Sequence, residues 1–198
     1  MTSIVYKYEG KEPEFDEREA LRYAGMRGED EGVAALLSEC LAAARECVVY
    51  RAAWRELSAD DPLVRSLISA SGSAGELLFG ASSVIILAAS AGAALDRRVA
   101  RLSVTSPARA LLLNAIGTER VESLCDAVVE DIKKTLAADV TLTRRFSPGY
   151  GDMPLSFVAD ILSLLDAGRT LGITLNESKI MSPSKSVTAV IGVFPAPL

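Results

Sequence analysis

Apolar and polar positions along the chain alternate between two periods. Ala20, Leu21, Tyr23 and Ala24 recur at helical spacing in a segment that Asp16 opens and Gly25 and Gly28 break. From about Asp30 a second stripe, Ala34, Leu37, Leu41, Ala44 and Val48, predicts another helix, with acids at its start where the dipole favours them. Pro107 suits the first turn of a helix over Ala108 to Ile116, which Gly117 would end. Thr118 would then cap a longer helix whose buried face is Val121, Leu124, Cys125, Val128, Ile132 and Leu136, its other face being charged and solvated. Asp152 is placed to cap a further helix with Pro154 in its first turn; Leu155, Val158, Leu162 and Leu165 form its stripe and Gly172 stops it.

Strand patterns fall between these. Ile4 to Tyr8 alternates, Val48 to Leu57 and Val140 to Phe146 are strand-like, and Ile173 to Leu175, Lys179 to Met181 and Ser186 to Val193 make an all-strand tail. Ser83 to Ala89 is apolar without interruption, the pattern of a central strand covered on both faces. Leu63 to Ile68 fits a strand or a helical turn, Ser69 to Gly75 reads as a loop, and Ala74 to Phe79 as a short helix. Strands and helices mix without a regular βαβ alternation, which predicts an α+β fold with a mainly antiparallel sheet.

A chain of 198 residues, 49% hydrophobic, can bury one substantial core, as one domain or two tightly packed lobes. A net charge of −5 with scattered Lys and Arg excludes a general nucleic-acid binder. The count of zero histidines removes a His general base, a His-ligated metal and a Ser-His-Asp triad together. Three cysteines at unrelated spacings suit a reducing compartment, hence the cytoplasm, and buried positions. No signal peptide is legible. Leu77 to Leu95 is uncharged over the length of a membrane span, but its glycines and serines fit a short helix and a buried strand better, and no membrane association is expected.

The chemistry concentrates in Arg144-Arg145-Phe146-Ser147-Pro148-Gly149-Tyr150-Gly151-Asp152-Met153-Pro154. A guanidinium beside a Pro-Gly turn can hold a carboxylate through two parallel hydrogen bonds. Gly149 lets a ligand approach the backbone, and Tyr150 offers a π-face that attracts a cation. The set suits a small zwitterion; it equally suits a structural turn with Arg145 paired to Asp152 and Tyr150 packed on the sheet. Glu177, between Asn176 and Ser178, could balance a ligand ammonium, pair with Arg144, or be a surface acid. Ser182-Pro183-Ser184-Lys185 has the S-x-x-K spacing of Ser/Lys acyl enzymes, but Pro183 opposes the helix that chemistry needs.

The R-x-S-P-G-Y-G-D-x-P-L run from Arg145 and the L-x-E-S…M-x-P-x-K-S-V run from Leu175 resemble the activation (reactivation) domain of cobalamin-dependent methionine synthase, with a weaker match at Glu19 to Gly25. The resemblance implies a C-shaped α+β domain that binds S-adenosylmethionine and packs over a cobalamin module while cob(II)alamin is reductively remethylated with an electron from a flavodoxin-type donor. By position it gives Arg145 the ligand carboxylate, makes Pro148, Gly149 and Tyr150 the turn bordering the ligand, and matches Glu177 to the acid of the second run. It departs at Val190 and Ile191, where the family presents an aromatic ligand contact, and its N-terminal acidic contact has no counterpart in the pattern. The expectation is a stand-alone reactivation subunit, with residues 1–58 as an N-terminal helical lobe and 59–198 as the core. It would be a component of a methyltransferase rather than a complete enzyme, with cobalamin supplied by a partner. A corrinoid-binding scaffold without S-adenosylmethionine and an unrelated S-adenosylmethionine-dependent enzyme are the alternatives.

Overall fold

A computed structural model describes residues 6–8, 11–26, 31–137 and 139–195. Strand β3 (Ser83–Ser90) is its centre, buried from Val84 to Ser90 as its unbroken apolar run requires. On one side β3 pairs with β2 (Arg51–Ser58), from Arg51 opposite Ser90 to Ser58 opposite Ser83, and β2 pairs with β1 (Tyr6–Lys7). On the other it pairs with β7 (Ser186–Pro195), which also carries β4 (Val140–Leu142). The order is β1-β2-β3-β7-β4 and every pairing is antiparallel. A separate hairpin joins β5 (Thr174–Leu175) to β6 (Met181–Ser182).

The period-2 alternation of the strands divides the core between two faces. Ala53, Leu57, Val84, Ile86, Ala88 and Val190 pack against α3 (Pro62–Ala70), α7 (Phe157–Leu164) and the short α8 (Ala167–Thr170). Ala52, Trp54, Ile85, Leu87, Ala89 and Ile191 pack against Val121, Leu124, Cys125, Val128 and Ile132 of α6 (Pro107–Thr135). The opposite side of α6 receives α1 (Glu17–Ala24), α2 (Glu31–Arg45) and α5 (Ala93–Thr105) in a third cluster around Leu37, Leu95, Leu113 and Ile116. Asp16 caps α1 through the Glu19 amide and Gly25 ends it in the left-handed conformation, as the pattern predicts. The elements up to Ser58 thus share one sheet with β3, β7 and β4, and one helix, α6, with α5.

Three expectations give way. The helix expected to stop at Gly117 runs on through it, 29 residues in all. A Cβ at position 117 would stand 2.3 Å from the Leu95 Cδ2, so the glycine lets α5 lie close on α6. Thr118, expected as a cap, returns its hydroxyl to the Asn114 carbonyl at 3.2 Å. The tract from Ser69 to Gly75 is helical, not a loop: it holds the end of α3, the cap Ser71, whose Oγ accepts from the Ala74 amide at 3.0 Å, and the start of α4 (Gly72–Leu78). The strand expected over Val140 to Phe146 breaks after Leu142 and returns only as a bridge between Phe146 and Val190. Leu77 to Leu95 spans the end of α4, β3 and the start of α5, and among the described residues no helix is long and apolar enough to cross a membrane.

Candidate functional site

The break in β4 builds the site. Leu142 faces Val193 and Phe146 faces Val190, so Thr143, Arg144 and Arg145 stand opposite only Ile191 and Gly192. One extra residue makes a bulge, which bends the strand and re-aims its side chains. Thr143 pins it, its amide donating to the Gly192 carbonyl at 3.0 Å and its Oγ1 accepting from the Gly192 amide at 2.9 Å. A Cβ on Gly192 would lie 2.9 Å from a Phe194 ring carbon and 3.2 Å from the Thr143 methyl, which keeps this crossing glycine-specific.

Beyond Phe146 the chain makes two consecutive turns. The Tyr150 amide donates to the Ser147 carbonyl and the Met153 amide to the Tyr150 carbonyl, both at 3.1 Å, with Gly149 at φ 90° and Gly151 at φ 56°. Pro148 and Met153 are buried beneath, while Tyr150 stands 70% exposed rather than packed on the sheet. Asp152 does not cap α7, which begins at Phe157. It braces the capped start of α4 instead, accepting from the Ser71 hydroxyl at 2.5 Å and the Gly72 amide at 2.7 Å. Those bonds, led by the Ser71 hydroxyl, hold its carboxyl down at about 2. The turn is thereby tied to a helix some eighty positions earlier in the chain.

Arg145 points from the bulge to α6, not to Asp152. Its Nη1 lies 2.9 Å from Glu122 Oε2 and its Nη2 2.8 Å from Asp126 Oδ1. Burial opposes its charge, but Cys125, Glu122 and Asp126 outweigh that and keep its pKa above the usual arginine value. Burial pushes the Cys125 thiol up to about 12, so that group is neutral near pH 7 and the two carboxylates carry the effect. A cavity of about 820 Å³ opens between α6 and the turn. Glu122, Asp126, Val129 and Lys133 line it from the helix; Arg144, Arg145, Ser147, Tyr150 and Gly151 line it from the turn. Ser73 and Val187 also line it. A smaller cleft of about 290 Å³ between α1 and α6 reaches Arg145, Glu122 and Asp126 from behind, past Asp16, Glu19 and Tyr23.

Of the residues expected to bind, Arg145 and Tyr150 line the cavity, and Pro148 and Gly149 shape the turn between them. Glu177 lies on the exposed β5–β6 turn and is not among the lining residues. Neither it nor Arg144 has an ion pair among the described residues. Val190 and Ile191 are fully buried in opposite faces of the core, and the residue that β7 gives to the cavity is Val187. Ser182-Pro183 is no part of a helix, and Ser184 donates from its amide and hydroxyl to Asp96 at 2.6 and 2.7 Å. The sequence pattern does not single out Glu122 and Asp126; their one signal is acids a helical turn apart on the polar face of α6. Among the described residues no group of three or more Cys, Asp or Glu is disposed to hold a metal ion.

No family model matches the sequence, and no curated protein matches it. Among solved structures, the chain is similar to a crystal structure of the MetH reactivation domain bound to AdoHcy, with a TM-score of 0.64 and 17% sequence identity over 98% of this chain and 79% of that one. At that identity the likeness establishes the fold: α+β, with a mainly antiparallel sheet flanked by helices.

Proposed function

We propose that the chain is a reactivation module that binds S-adenosylmethionine in the cavity beside Arg145. In this reading it docks on a cobalamin-bearing module, where the ligand's methyl group restores the corrinoid. The observation that carries the reading is the mixed lining of that cavity: a guanidinium on the Pro-Gly turn and two carboxylates facing it from α6. S-adenosylmethionine carries one carboxylate and two cationic centres, an ammonium and a sulfonium. Arg145 supplies the partner for the carboxylate, and Glu122 and Asp126 supply partners for the cations. Tyr150, exposed at the rim, offers a ring face to the sulfonium or the adenine. Pro148 and Gly149 set the turn, and Glu177, on the exposed β5–β6 turn, could meet the ligand's ammonium only if that hairpin closes on the cavity. The size of the cavity is within the range of small-molecule sites. Residues 1–198 contain no histidine and so offer no histidine ligand to cobalt. The electron would come from a flavodoxin-type donor acting on the assembled pair. The described residues act as one unit, since β1 and β2 belong to the same sheet as β4, from which the turn follows.

A second reading, a corrinoid-binding scaffold that does not use S-adenosylmethionine, is favoured by one observation: β7 brings Val187 to the cavity and no aromatic side chain. Calorimetric titration with S-adenosylmethionine, alongside Arg145→Ala, decides between them. Loss of a charge-assisted carboxylate contact costs about 1.5–3 kcal/mol, so the variant is expected to bind at least about tenfold more weakly. Equal binding by both proteins overturns the site. Absence of binding, alone and with a cobalamin-binding module present, overturns the reactivation reading in favour of the scaffold.

A further inference from the structure

The two η nitrogens of Arg145 are already committed, to carboxylates one helical turn apart: Nη1 to Glu122 at 2.9 Å and Nη2 to Asp126 at 2.8 Å. An arginine holds a carboxylate best by two parallel hydrogen bonds from one edge of its fork. Any two-donor edge of the fork includes an η nitrogen, so a ligand carboxylate held that way shares a nitrogen with Glu122 or Asp126 and meets that acid's charge unless the acid turns away. The arginine is the fixed member. It is 22% exposed and sits on a bulge pinned on either side by Thr143 and Phe146. Asp126 is the member free to turn away, with a side chain 73% exposed.

We infer that ligand binding at this site is an exchange of carboxylates on Arg145, and that Glu122 and Asp126 thereby select ligands that carry a cation next to their carboxylate. Replacing one carboxylate by another on the same guanidinium gains little. The gain comes from the displaced acid, which remains in the cavity beside the ligand. A ligand with an ammonium or sulfonium there gives the acid a new partner. A ligand with the carboxylate alone leaves it unpaired and facing a like charge. Lys133 lines the same cavity but is paired with Glu130 at 2.6 Å. Arg144 lines the same cavity and has no ion pair among the described residues, so it is the rival anchor for a ligand carboxylate.

The inference rests on the zwitterion-binding reading above, and its test separates the two. S-adenosylhomocysteine and its deamino analogue, which keeps the carboxylate, are titrated into the wild-type protein and into Asp126→Asn, Glu122→Gln and Arg144→Ala. Thermal melts establish that each variant is folded. The wild type is expected to prefer the amine-bearing ligand by at least about tenfold. Asp126→Asn is expected to bring the two affinities within about threefold, chiefly by tightening the deamino analogue, and Arg144→Ala to leave the wild-type preference in place. A preference unchanged in both acid variants, or abolished in Arg144→Ala, overturns the exchange. If neither ligand binds the wild type, the functional reading falls, and the pairing that underlies the exchange is judged on the free protein. Nitrogen NMR of the arginine side chains is then expected to show two inequivalent, slowly rotating η groups for Arg145, one of them released in Asp126→Asn. Free rotation in the wild type overturns it.

Discussion

Two arginines meet carboxylates of the same helix, and they are held in opposite ways. Arg120 is 1% exposed and grips both oxygens of Glu119, at 2.5 and 2.6 Å. Its remaining donors reach the carbonyls of Pro13 at 2.8 Å and Glu14 at 2.7 Å, and the Phe15 ring lies 4.9 Å from its centre. Glu119 in turn accepts from the Asp16 amide at 2.9 Å and the Ser123 hydroxyl at 2.6 Å. Each charge is saturated by groups that cannot leave, and the result clamps the approach to α1 onto α6. Arg145 divides its donors between two acids, one largely in solvent, on the wall of a cavity. Burial with complete pairing makes an ion pair architecture, whereas partial exposure beside open volume leaves it able to trade partners.

The largest expected effect tests the first half of that contrast. Arg120→Ala strands the Glu119 carboxylate inside the protein and takes a donor from the Pro13 and Glu14 carbonyls, and a loss of about 3–5 kcal/mol is expected in urea denaturation. A loss below about 1 kcal/mol would mean that water or Tyr50 replaces the guanidinium, and the contrast would fail. Arg145→Ala tests the other half. Its stability is expected to stay within about 1 kcal/mol of wild type, because its partners remain hydrated, while ligand affinity falls. A destabilisation matching that of Arg120→Ala would make Arg145 structural as well.

The smallest effect concerns what holds the Arg145 turn in place. Asp152 titrates at about 2 in the folded protein against an ordinary value of 3.8. Its folded pKa is depressed, so its contribution is complete above the ordinary value and disappears as the pH falls through the folded one. Melting temperatures of the wild type are expected to decline between those pH values, and those of Asp152→Asn to decline less. Parallel acid limbs would show that the Ser71 and Gly72 bonds do not support the turn.

The features legible in the sequence are those with a local cause. The unbroken apolar run of β3, the Asp16 cap, the stripe of α6 and the Pro-Gly turn each depend on residues within a few positions of one another. The features that stay hidden depend on distant partners. Gly117 looks like a helix stop until Leu95 is packed against it, and Asp152 looks like the cap of the next helix until α4 is brought alongside. Glu122 and Asp126 belong to a polar face that periodicity can only describe as solvated. Which of its acids meets Arg145 is set by the bulge opposite Gly192, and a bulge leaves no period in the sequence. Resemblance matches Glu177 to the acid of the second run, and the structure places it on the exposed β5–β6 turn, outside the lining of the cavity.

The position of β7 bears on how such a molecule is assembled. It comes after every other described element in chain order, yet it lies between β3 and β4 and bonds to both. A growing chain that has not yet supplied residues 186–195 has β3 with a bare apolar edge and β4 with no sheet to join. The contacts of Gly192 with Thr143 and of Val190 with Phe146 do not exist at that stage, so Arg145 has no bulge to aim it. Helices α5 and α6 are neighbours in sequence and can meet early, whereas β3 meets β7, and α1 meets α6, across about a hundred positions. The geometry of the cavity beside Arg145 therefore depends on the pairings of β7, and a lesion in that strand is expected to register there even though Val187 is its one lining residue.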